Sequence, residues 1–143
     1  MALAVAPNGS RIVVTGSGTP GGYAQFVTVA YGASGTKAWA DRYDLPTHKY
    51  SYASDVAISP DSRQAIVTGG TSAAKHGYDF ATIAYGLTHG PRLWVRRYDG
   101  PDNLSDSAST VAIGPTGSRA YVAGKSDGIV RNDDYLTIAY SLK

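Results

Sequence analysis

The chain has 143 residues, is 43% hydrophobic and 17% charged, and carries a formal charge of +2, a balance that suits one ordinary globular domain. No basic run exceeds Arg96-Arg97, so the charge pattern of a nucleic-acid or anionic-membrane binder is missing from the sequence. Cysteine does not occur, which excludes a disulfide framework and thiolate metal sites.

All eleven acidic residues are Asp, while Gly contributes 17 residues and Tyr 11. This usage disfavours helix and favours strands joined by turns. Residues 1–7 lack the basic start and long apolar run of a signal peptide. In chain order, residues 3–6 read as a strand closed by Pro7 and an Asn8-Gly9 turn. A second strand at 12–15 ends at Gly16, a third covers 26–31 and a fourth 37–43. The same order then returns. Residues 56–59, closed by Pro60, lead to 65–68 with Gly69, then 80–85, then 92–98. It starts a third time at 111–114 with Pro115, followed by 120–123 with Gly124 and by 135–140.

Prolines 7, 60 and 115 give the repeat a period of 53 to 55 residues. Thr28-Val-Ala-Tyr31 returns as Thr82-Ile-Ala-Tyr85 and Thr137-Ile-Ala-Tyr140, and Trp39-Ala-Asp-Arg-Tyr43 returns as Trp94-Val-Arg-Arg-Tyr98. Such self-similarity marks a repeat architecture. The third strand is apolar on both faces, as stacked sheets require, whereas the first alternates small residues and the fourth carries Trp. The expected fold is therefore all-β, with about three four-stranded antiparallel blades of β-propeller type, the last lacking its outer strand. The repeats run over 1–54, 55–109 and 110–143. With two outer strands for three inner ones, the chain is not expected to close a ring alone. Self-association, or missing blades of a longer chain, would complete it.

Four segments resemble the SBBP repeat family of bacterial seven-bladed β-propellers. They are Asp55-Val-Ala-Ile-Ser-Pro60, Ala65-Ile-Val-Thr-Gly69, Gly77-Tyr-Asp-Phe-Ala-Thr-Ile-Ala-Tyr85 and Leu93-Trp-Val-Arg-Arg-Tyr-Asp-Gly-Pro101. The resemblance implies an extracellular or envelope-associated binding or display module and carries no catalytic residue. Ala30-Tyr-Gly-Ala-Ser-Gly-Thr-Lys-Ala-Trp39 is more weakly similar to the tryptophan-docking repeat of quinoprotein dehydrogenases. Gly32 stands there where that motif has Asp, so the likeness implies shared blade packing and no quinone.

Gly16-Ser-Gly18-Thr-Pro-Gly21 spells a dinucleotide fingerprint, but a strand follows it instead of the helix that would meet the pyrophosphate. His48, His76 and His89 fall in three separate loops without ligand spacing, so no metal site and no cofactor is expected. Asn8-Gly-Ser10 matches a glycosylation acceptor, although Asn8 reads as the left-handed residue of a turn.

Two groups of loop residues remain as ligand-binding candidates. His48, Tyr50 and Tyr52 lie in a loop at 47–52 whose repeat counterpart, 102–107, has no aromatic residue. Exposed aromatics with polar tips suit a glycan or protein partner. Asp106, Asp133 and Asp134 are the acidic alternatives, on loops expected to open on the same face. Carboxylates there serve either Ca²⁺ or Asx-turns. The sequence thus points to a non-enzymatic binding or scaffold module. The rival readings are a fragment of a larger propeller enzyme and a structural spacer.

Overall fold

Val, Thr, Ile and Tyr fill the segments between Gly- and Pro-bearing turns, and these residues fit a pleated, covered surface. The computed structural model describes residues 1–19, 22–43, 50–72, 77–90, 92–101, 104–128 and 133–142. Their eleven strands form three antiparallel sheets in plain up-and-down order. The first sheet holds β1 (Ala2–Val5), β2 (Arg11–Gly18), β3 (Gln25–Gly32) and β4 (Lys37–Tyr43). The second holds β5 (Ser51–Ile58), β6 (Gln64–Ser72), β7 (Tyr78–Gly86) and β8 (Arg92–Tyr98). The third holds β9 (Asp106–Ile113), β10 (Arg119–Asp127) and β11 (Asp133–Ser141), and has no fourth strand among the described residues. The expected all-β repeat fold with a shortened last sheet is what the structure shows, in a propeller-like arrangement.

Strand alternation sends one side chain to each neighbouring sheet. Val13, Phe26 and Ala30 of the first sheet meet Val67, Ile83 and Tyr85 of the second. The opposite face of the second sheet, with Ile66, Phe80 and Ala84, meets Val122, Leu136, Ile138 and Tyr140 of the third. The middle sheet is covered on both sides, so β6 and β7 are buried along nearly their whole length. Buried hydroxyls repeat with the period too. Thr15 and Thr28 lie 3.0 Å apart and Thr68 and Thr82 3.1 Å apart, and the first of each pair also donates to a strand carbonyl. These four threonine hydroxyls are thereby satisfied.

The first hairpin of each sheet turns at Gly9, Ser62 or Gly117, all with left-handed backbone. Asn8 is not the left-handed residue. Its side chain instead accepts the Ser10 amide at 3.0 Å, an Asx-turn that leaves the positive angle to Gly9.

Strand ends differ from expectation in one consistent way. Gly16, Gly69 and Gly124 do not end their strands, which run on to Gly18, Ser72 and Asp127. In the second and third sheets the inner strand bulges at this level, bringing a carbonyl against the glycine. A Cβ on Gly69 would strike the Tyr52 carbonyl, and one on Gly124 the Ser107 carbonyl. Glycine is there for close approach of backbone, not for a turn. Past the bulge the inner strands continue, so β5 begins at Ser51 and β9 at Asp106, five residues before the expected starts.

Candidate functional site

The longer strands move several candidate residues out of loops. Tyr52 lies within β5, Asp106 opens β9, and Asp133 and Asp134 open β11. His48 lies outside the described residues. Ala24, Tyr50, Ser51 and Ser72 meet on one rim, because their backbones are bonded together. The Ser51 amide donates to Ala24 at 2.7 Å, and the Ser72 amide donates to Tyr50 at 2.7 Å.

Four tyrosines stand on this rim. Tyr23 and Tyr50 meet edge to face with ring centres 6.3 Å apart, and each is about half exposed, at 52% and 48%. Tyr52 and Tyr78 form a second edge-to-face pair at 5.4 Å. Tyr52 is only half-buried, and its ring lies over Gly70, where a Cβ would collide with it. Its hydroxyl is 2.6 Å from Ser107 Oγ in the third sheet, so Tyr52 ties two sheets together as well as facing the rim. Tyr23 and Tyr78 were not among the sequence candidates. Each directly follows a glycine near the start of the third strand of its repeat, as Gly22-Tyr23 and Gly77-Tyr78, although the two stand one register position apart. Both glycines adopt positive φ, which turns the chain sharply and sets the tyrosine on the rim.

Asp106 and Asp134 stand at one level of the third sheet, each opposite Ser126 of β10 between them, and the Asp133 side chain lies outside the described residues. Asp106 is fully buried and accepts the Gly100 amide at 2.6 Å through Oδ2, while Oδ1 is buried without a partner. Asp134 is exposed, and its repeat equivalent Asp79 is buried 3.6 Å from Arg97 on β8. Among the described residues, no group of three or more His, Cys, Asp or Glu could hold a metal ion.

A second polar cluster bridges the first two sheets on the outer side. Asp41 accepts the Tyr85 hydroxyl at 2.8 Å and a two-pronged contact from Arg92 at 2.7 and 2.9 Å. Burial, reinforced by the Asp41 charge, pushes the Tyr85 hydroxyl well above the ordinary tyrosine range. The hydrogen bond to Asp41 likewise holds Arg92 firmly protonated. Beside them Trp39 stacks on Tyr85 with ring centres 5.4 Å apart and donates its indole N–H to Leu87 at 3.0 Å. Trp94 repeats the contact more loosely on Tyr140 at 5.5 Å. Both tryptophans are thus inter-sheet packing residues.

The described residues of this rim offer aromatic faces and hydroxyls. No protein-family model matches this chain, and no curated protein matches it either. The fold therefore rests on the strand topology and its internal repeat.

Proposed function

We propose that the chain is a non-enzymatic binding or scaffold module of β-propeller type, presenting its tyrosine rim to a glycan or protein partner. The observation that carries this reading is the exposed Tyr23–Tyr50 pair, held on backbone that is itself bonded across two sheets. Rigid aromatic rings lose little entropy on binding and offer both an apolar face and a hydroxyl. Screening the chain against immobilised glycans tests the reading. Signal lost in Tyr23→Ala and Tyr50→Ala, at unchanged melting temperature, is the expected result. An empty array, or binding indifferent to both changes, contradicts the glycan reading.

Association belongs to the same proposal. What supports it is the apolar character of the two end faces. Leu3 and Val5 are more than half exposed on the first sheet, and Tyr121 and Tyr135 stand out on the third. Exposed apolar patches of this kind mark contact surfaces. The open ends also favour the alternative that these sheets belong to a larger ring whose other blades carry a reaction. Membership of the SBBP repeats is a finer proposal, carried by the four segments between Asp55 and Pro101.

A further inference from the structure

The second and third repeats differ at one fully buried position of the inner strand. Ser51 opens β5 and Asp106 opens β9, and the two are equivalent in the repeat. Both are shielded from solvent. Ser51 bonds the Thr71 hydroxyl beside it at 3.1 Å, so packing here asks for no more than a hydroxyl. The third repeat puts a carboxylate there instead. Repeats share what packing requires, so a charge added at a buried position calls for another reason.

That carboxylate is only half satisfied. Oδ2 accepts the Gly100 amide at 2.6 Å, while Oδ1 is buried and accepts nothing. None of the ion pairs among the described residues reaches Asp106. A buried carboxylate is costly unless a positive charge stands against it. The neighbouring oxygens say which kind of charge fits. A Cβ built on Gly100 would lie 3.0 Å from both Asp106 carboxylate oxygens and 3.2 Å from Ser126 Oγ, so carboxylate and hydroxyl turn toward one spot. Asp134 stands opposite Ser126 on the same sheet face. The row is thus carboxylate, hydroxyl, carboxylate, with no nitrogen or sulfur ligand in it. The matching row of the second sheet, Ser51, Thr71 and Asp79, carries one carboxylate and sets Arg97 3.6 Å from it.

We propose that Asp106, Ser126 and Asp134 hold a calcium ion where the third sheet meets the end of β8. Oxygen ligands suit a hard cation. Calcium accepts the irregular shell that two carboxylates, a hydroxyl and waters make, whereas magnesium demands a near-ideal octahedron. Asp106 and Asp134 are two strand spacings apart, about 10 Å. Asp134 therefore reaches the ion by leaning across Ser126 or through a water. Ser107, next along β9, holds the Tyr52 hydroxyl at 2.6 Å, so an ion here also steadies the tyrosine rim.

The test is a calcium titration of the chelator-stripped chain, read by melting temperature and by isothermal titration calorimetry. Calcium at ten times its Kd is expected to raise the melting temperature by about 4 °C, and magnesium by less than half as much. Asp106→Ser copies the second repeat and so keeps the fold. It is expected to lose the calcium response and, in chelator, to melt no lower than the parent, since the uncompensated charge is gone. Asp134→Asn, at an exposed position, is expected to weaken calcium about tenfold, because affinity follows the charge of the ligands. Neither heat nor shift up to about 10 mM calcium, beyond the range of weak extracellular modules, overturns the proposal. So does an equal response to magnesium, or a calcium response that survives Asp106→Ser. Unchanged affinity in Asp134→Asn overturns it too, whatever Asp106→Ser does.

Discussion

Trp39 and Trp94 are a matched pair read in two environments. Trp39 is buried, stacked and hydrogen-bonded, and Gly90 gives its ring room that a Cβ would take. Trp94 meets Tyr140 at a tilt of 40° and stays half-buried beside an open groove. Trp39→Ala is expected to cost about 3–5 kcal/mol, the usual cost of emptying a buried tryptophan site. Trp94→Ala should cost clearly less, which corrects the equal weighting that the repeat alone suggests. Denaturant midpoints of the two variants check this, and equal losses would contradict it. Tyr85 gives a pH signature. Its proton is held more tightly in the folded chain than in the unfolded one, so its contribution is complete below the unfolded value, near pH 10. It is lost as pH rises above that point. Melting temperature should therefore fall between about pH 9.5 and 11, and fall less steeply in Tyr85→Phe. Tyr140, also raised by burial, leaves a residual slope of the same sign.

Among the elements, the bulged inner strands decide where the rim is. The proline-and-turn pattern placed the first hairpin of each sheet, because turns demand particular residues. Strand length was less legible, since Gly69 and Gly124 look like terminators until the carbonyls beside them are seen. A glycine that ends a strand and one that admits a neighbouring backbone are written with the same letter. That ambiguity hid the early start of β5 and β9, and with it the strand positions of Tyr52 and Asp106. Gly16 separates the two roles, because a Cβ there makes only ordinary contacts with Met1. Gly124→Ala should destabilise by at least ~2 kcal/mol through overpacking, and Gly16→Ala by well under half as much. Unfolding curves for the pair check the contrast, and similar losses would show that the bulge tolerates a methyl group.

At the scale of the molecule, the fold was legible because a sequence repeat is a statement about packing. Each sheet must bury what its neighbour buries, so residues equivalent in the repeat perform equivalent work, as Trp39 on Tyr85 and Trp94 on Tyr140 do. The candidate site was legible only in part. Tyr50 is legible as a departure from the repeat, whereas Tyr23 and Tyr78 stand one register position apart, so the repeat does not pair them. The same logic governs the ends. Val14, Val27 and Val29 on the first sheet are equivalent to Val67, Ala81 and Ile83, which are fully buried against a neighbour. Tyr121, Tyr135 and Ala139 on the third sheet are equivalent to Ile66, Phe80 and Ala84, which are also fully buried. On the association proposed above, a head-to-tail pair of chains would cover both faces. The mass in solution, read by light scattering across a size-exclusion peak, tests this account most directly. It predicts a species at a multiple of the 15.0 kDa chain mass, with a monomer appearing only on dilution. A stable 15.0 kDa monomer that melts cooperatively would contradict it.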